Sequence, residues 1–258
     1  MTWLAAWLVA VGVADLVRVG ARPGAVVRAV AAGAAVLAVV VLLTGLTAPV
    51  DLVVLAASVL PLALWVRWST QSGATGTGHW PALTSLAAGA VALVALGGWA
   101  STAGGLLGRW LAWADLPFVG AQPSPAHVLL VVGLLLVNLA TANLVVRLVL
   151  VAVGAMRPVR EHGGADGAGP QPSDQLRGGR LLGPMERVLI LGLGLAGQIT
   201  AAGLVIAAKG LIRFPELQAK RDDRSSIDGV GIDAVTEYFL VGSFVSWLVA
   251  LASLALTH

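Results

Sequence analysis

Apolar stretches of fifteen to twenty-five residues recur down the chain, most of them near the length a helix needs to cross a hydrocarbon core of about 30 Å. They cover residues 3–17, 25–43, 50–65, 82–99, 128–152, 188–208 and 238–256. Backbone in lipid must satisfy its own hydrogen bonds, so the pattern predicts an all-α, polytopic helical membrane protein with about seven transmembrane segments. Composition agrees, because 58% of the 258 residues are hydrophobic and 11% charged, too little polar surface to clothe a water-soluble globule. The first and third stretches are short for a full span, and are expected to thin the bilayer locally or to stop short of crossing.

Charge and rare residues exclude several classes of function. Sixteen basic residues against thirteen acidic ones leave net +3 without a dense basic patch, so no nucleic acid is expected as a partner. The chain has no cysteine, which removes disulfides, thiolate metal sites and a Cys nucleophile. Its four histidines, His79, His127, His162 and His258, are scattered without ligand spacing, and no metal or cofactor is expected. Residues 1–17 lack a basic start and a small-residue cleavage site, and are expected to be retained rather than removed as a signal peptide.

The positive-inside rule orients the spans. With the N-terminus outside and seven crossings, ten of the sixteen basic residues fall on cytoplasmic ends, while Arg109 and the group Lys209, Arg213, Lys220, Arg221 and Arg224 stay outside. If the Gly-rich sixth stretch re-enters instead of crossing, that group moves inside and the count rises to fifteen of sixteen. Six crossings plus a re-entrant segment is therefore the alternative. Trp3, Trp65, Trp68, Trp80 and Trp99 fall at segment ends, where indole rings suit the headgroup zone.

Two connections are more than turns. Residues 104–118, with Arg109 and Asp115 among Leu106, Leu107, Trp110, Leu111 and Trp113, read as an interfacial helix. Residues 157–184 are rich in Gly and Pro and read as a flexible linker. It divides a five-segment N-terminal block, 1–156, from a two-segment C-terminal membrane module, 185–258.

Within the sixth stretch lies Gly192-x-Gly194-x-x-Gly197, the spacing of a dinucleotide-binding turn. A Rossmann sheet needs several parallel strands and only membrane-like segments flank this one, so close helix packing is the preferred reading. Read as one helix, Arg187, Gln198 and Lys209 recur every eleven residues and share a face that Arg213 extends. Gly194, Ala201 and Ala208 then form a narrow small-residue strip. On that helix Arg187 and Lys209 mark the two water interfaces, or they line a polar path. Other polar residues near apolar segments are Asp15, which can pair with Arg18, Asp51, which can cap the third segment, Asn138, and the neighbours Asn143 and Arg147. Glu237, at the mouth of the last segment, is a candidate partner for Lys209 or Arg213.

The series Gly179-Arg180, Gly183-x-x-Glu186-Arg187, Ala207-Ala208-Lys209-x-x-x-Arg213-Phe214 and Glu237-Tyr238-x-x-x-Gly242-Ser243, with Ser246, resembles the C-terminal part of a bacterial polytopic membrane family of unknown function. The resemblance covers residues 179–247. It implies a shared membrane module in which Glu186, Arg187, Lys209, Arg213 and Glu237 form an ion-pair set. Ser243 stands where the family has Thr, and the family's N-terminal motif is not matched around Asp15.

Three functions remain open from the sequence. The first is a non-enzymatic integral membrane protein that handles an ion or small solute through the polar C-terminal module. Its candidate residues are Glu186, Arg187, Gln198, Lys209, Arg213 and Glu237, with Asn143 and Arg147 second. The next is a scaffold or sensor that recruits a protein partner, and the last a membrane-embedded lipid enzyme, for which no catalytic motif is present. The expected surroundings are the lipid bilayer of a bacterial cell (inner/plasma) membrane, multi-pass, with a protein partner or a second copy of the chain as further contacts.

Overall fold

The computed structural model describes residues 1–18, 24–114, 124–156, 179–222 and 232–257, without the side chains at 74, 179–181, 212–222 and 232–235. Most of the 157–184 linker, Asp115 and the side chain of Arg213 lie outside the described residues. Every regular element among those described is helical, and the protein is an all-α, polytopic membrane protein.

The elements are α1 (Thr2–Val17), α2 (Ala25–Thr44), α3 (Pro49–Ala57), α4 (Val59–Thr75) and α5 (His79–Ala95), the last extended by a 3₁₀ turn, Leu96–Trp99. Then come α6 (Gly105–Ala114) and α7 (Pro125–Leu136), a π turn (Val137–Thr141), α8 (Ala142–Ala152), α9 (Gly179–Leu195), α10 (Ile199–Asp222) and α11 (Ile232–Ala255). Five stretches of the described residues are long and apolar enough to cross a membrane: Ala25–Thr44, Pro49–Gly73, His79–Trp99, Pro125–Ala152 and Thr236–Ala255. Thr2–Val17 and Ile199–Leu211 are apolar but shorter.

The third segment is thus not short. Hydropathy falls after Trp65 because Arg67, Ser69, Thr70 and Gln71 follow, yet the helix continues through them. The Thr70 hydroxyl donates to the Val66 carbonyl at 2.7 Å and the Ser69 hydroxyl to that of Trp65, so these polar groups are satisfied within the helix.

The helices form two compact units. Unit 1 takes Met1–Thr70 and Trp80–Thr141; unit 2 takes Gln71–His79 and Ala142–Leu256. The division falls inside the long helix rather than in the linker, because α8 packs with the C-terminal helices. The module's first helix also begins earlier than expected, at Gly179.

In unit 1 the apolar character of α1 runs all round the helix, so no face prefers water, and thirteen of its sixteen residues are buried. It runs parallel to α7 at a distance only glycine permits. A Cβ on Gly12 would stand 2.5 Å from that of Leu136, and one on Gly133 2.9 Å from that of Leu8. Trp3 and Trp65, expected at water interfaces, are instead fully buried, because their indole N–H groups serve buried carboxylates: Trp3 donates to Asp51 at 2.7 Å and Trp65 to both oxygens of Asp15 at 3.1 Å. Trp80 and Trp99 are exposed, 62% and 72%, as lipid-interface residues should be.

Unit 2 departs most from expectation. The sixth stretch is not one helix but a hairpin of α9 and α10. The Gly197 N–H bonds the Gly194 carbonyl at 2.9 Å and the Gln198 N–H bonds that of Leu193 at 2.8 Å, with Gly197 at φ +74°. Paired bonds of this kind around a left-handed glycine close a helix C-terminus. A new helix starts at once, with the Ala202 N–H bonded to the Gln198 carbonyl. Helix α10 runs back along α9, and α11 runs parallel to α9: Arg187 meets Ser246, and a Cβ on Gly194 would lie 2.5 Å from Leu254. Ile190, Ala202 and Ala250 form the apolar core between the three.

Candidate functional site

The hairpin decides which polar residues meet. On a straight helix Glu186 and Lys209 would be about 35 Å apart at 1.5 Å per residue. With the chain reversed at Gly197, Lys209 Nζ reaches Glu186 Oε2 at 2.5 Å. The other Glu186 oxygen accepts from Trp247 Nε1 of α11 at 2.9 Å, and the ammonium lies 5.7 Å from the centre of the same indole. One carboxylate therefore ties three helices.

Arg187, the next residue, points to the other side of the cluster. Its guanidinium donates from Nη1 to Ser246 Oγ at 2.9 Å and from Nη2 to Asn143 Oδ1 of α8 at 2.6 Å. Arg187 is 2% exposed and Glu186 7%, so both charges are withdrawn from solvent and need these partners to be tolerated. Ser246 and Trp247 stand near the middle of the apolar window Thr236–Ala255, which puts the charges half-way along a helix long enough to span.

Of the residues singled out from the sequence, Glu186, Arg187, Lys209 and Asn143 come together. Gln198 does not join them, because it is exposed at the hairpin turn, and the common face of Arg187, Gln198 and Lys209 does not exist. The Gly194, Ala201 and Ala208 strip is likewise divided between two helices. Arg187 and Lys209 do not mark opposite interfaces; they flank one carboxylate. Glu237 is exposed, and Lys209 is paired with Glu186 in its place. Arg147, one turn beyond Asn143, is half-buried, and Asn143 serves Arg187 instead. The glycine fingerprint has no strand before it: Gly197 makes the turn, Gly194 lets α11 approach, and a Cβ on Gly192 would meet nothing within 4 Å. Ser246 stood only in the series that carries the family resemblance and Trp247 only at its end; neither was a candidate site residue, since a Ser and a Trp inside an apolar run do not declare a partner.

Unit 1 holds a second polar centre. Asp15 pairs with Arg18 at 2.8 Å, as their spacing suggests, and also accepts from Trp65 and from Thr141 Oγ1 at 2.7 Å. Arg18 Nη1 reaches the Val66 carbonyl, Ser69 and Thr70 at 3.0, 2.6 and 2.9 Å. Thr141 closes the π turn, a feature frequent at functional sites. Here every bond works inward, with the carboxylate saturated by donors from three elements, which is the chemistry of a fastener. No group of His, Cys, Asp or Glu able to hold a metal occurs among the described residues. Comparison of the chain with family models, with curated proteins and with solved structures gave no match.

Proposed function

We propose that this chain is a multi-pass protein of a bacterial cell membrane, and that it handles an ion or small solute at the Glu186–Arg187–Lys209 centre of unit 2. One observation carries the reading: two buried charged side chains, Glu186 and Arg187, and the half-buried Lys209 are gathered against the middle of the spanning-length helix α11. Ionisable groups at such depth are expensive, and where they occur they mark ion and substrate paths.

Taking α9 and α10 as separate passes makes eight with α1, α2, α3–α4, α5, α7–α8 and α11. Residues 157–178 and 223–231 then lie on one side, and Lys220, Arg221 and Arg224 join the linker arginines, in keeping with the positive-inside rule. The reading is tested by reconstituting the protein into liposomes and recording charge movement on a solid-supported membrane with protons, alkali cations, chloride, phosphate and acetate. A current with at least one of these, lost in Glu186→Gln, is the expected result. Silence with the whole panel from a folded protein removes it.

One observation favours a second reading, a scaffold: Glu186 is bonded at both oxygens, so the centre also locks α9, α10 and α11 together. A scaffold would keep its role in any variant that preserves the fold.

A further inference from the structure

We propose that α6 is a docking surface for anionic phospholipid, with a headgroup phosphate held by Arg109 and the indole N–H of Trp113 and the acyl chains lying over Leu106 and Trp110. Helix α6 has ten residues, about 15 Å at 1.5 Å per residue and half of what a crossing needs. Two fastenings set its depth. The Gly104 N–H bonds the carbonyl of Thr44, the last residue of α2, at 2.9 Å, and a Cβ on Gly105 would stand 2.7 Å from the Leu43 carbonyl oxygen. Farther along, a Cβ on Gly108 would lie 3.5 Å from the ring of Pro125, the first residue of α7. Both neighbours are ends of spanning-length stretches, the level at which hydrocarbon gives way to headgroups. An amphipathic helix tied at two such points lies along the interface.

The outward face has the chemistry of that level. Leu111 is buried, while Leu106, Trp110 and Trp113, spaced by four and three on the opposite side of the helix, are 54%, 49% and 80% exposed. Arg109 is exposed beside them, one turn before Trp113. Other indoles place their N–H inside the protein: Trp3 and Trp65 on carboxylates, Trp7 on the Ser58 carbonyl and Trp247 on Glu186. The N–H groups of Trp110 and Trp113 and the guanidinium of Arg109 meet no acceptor among the described residues. A phosphodiester supplies one, since guanidinium pairs bidentately with phosphate and indoles belong at headgroup depth. Phosphatidylglycerol suits the seat better than phosphatidylcholine, whose own ammonium already neutralises its phosphate.

The test is thermal melting of the purified full chain in detergent with rising fractions of phosphatidylglycerol or phosphatidylcholine. Phosphatidylglycerol should raise the melting temperature along a saturating curve, and phosphatidylcholine should do so less. Arg109→Gln should raise the half-saturating fraction of phosphatidylglycerol about fivefold, the worth of one basic side chain at a membrane surface. Arg109→Lys, which keeps the charge, should retain most of the preference, and Trp113→Phe should lose part of it. Sodium phosphate should not replace the lipid, because Leu106 and Trp110 are covered only by acyl chains. In liposomes, a nitroxide on Ala112→Cys of this Cys-free chain should report headgroup depth.

An equal response to the two lipids overturns the proposal, as does an Arg109→Gln curve that stays in place. So does a preference lost in Arg28→Gln, at the far end of α2, but kept in Arg109→Gln. Stabilisation by sodium phosphate equal to that by the lipid removes the lipid as occupant, and a nitroxide as open to an aqueous nickel relaxer as one in solution takes α6 off the membrane. Charge movement in liposomes bears on the unit 2 centre alone, so either reading can fail without the other.

Discussion

Lys209 and Glu186 show how much depends on a single contact. Removing one member of a buried pair leaves the other charge desolvated and alone, at a cost of about 3–5 kcal/mol. Lys209→Met should therefore lower the melting temperature in detergent markedly, and the double variant Glu186→Gln, Lys209→Met should recover most of the loss. If the two single losses simply add, the pair is not coupled. In unit 1, Thr141→Val removes one of the donors around Asp15, worth about 0.6–1.7 kcal/mol for a bond between membrane helices. Asp15→Asn should cost more, because it leaves the Arg18 guanidinium without its carboxylate, and equilibrium unfolding in mixed micelles measures the difference. Asp15 with Arg18 was legible from spacing alone. Trp65 and Thr141 were not, since an indole and a hydroxyl declare their partners only when helices far apart in sequence meet.

At the scale of elements, the hairpin and the central helix decide the architecture. The three glycines of the 192–197 motif separate its roles and predict three outcomes. Gly192→Ala faces open space in a helix and should stabilise by about 0.5–1 kcal/mol. Gly194→Ala must push Leu254 aside and should destabilise by about 1–3 kcal/mol. Gly197→Ala forces a Cβ into the left-handed region and should cost about 1–2 kcal/mol and loosen the turn. Thermal melts of the three variants check the order. A nucleotide-binding turn would make all three substitutions harmful. Hydropathy did not reveal the break, because Gly and Ala at 196–197 are as apolar as their neighbours and membrane helices often tolerate glycine.

For the whole molecule, the proposal that α9 and α10 are two passes predicts which connections share a side of the membrane. The chain is free of cysteine, so single Cys residues at Ser173, Gln198 and Ser225 can be probed in intact cells with an impermeant maleimide. Ser173→Cys and Ser225→Cys should label together, and only after lysis, while Gln198→Cys at the hairpin turn should label from outside. Opposite labelling of the first two would mean that 188–208 crosses once.

The apolar runs determined class, helix positions and the near absence of polar surface, because a chain so poor in charge has no soluble alternative and spans have a set length. The charged residues of the unit 2 cluster could be picked out as well, since Glu186, Arg187 and Lys209 flank the sixth run, and Asp15 stands out inside the first. The partners of the unit 2 residues were decided by tertiary structure alone. Two backbone bonds around Gly197 reverse the chain, Glu186 thereby meets Lys209 instead of facing away along a straight helix, and α11 supplies Ser246 and Trp247 from within an otherwise featureless apolar run. Contacts that depend on where a helix ends and which neighbour it lies against are set by packing, which a one-dimensional pattern does not record.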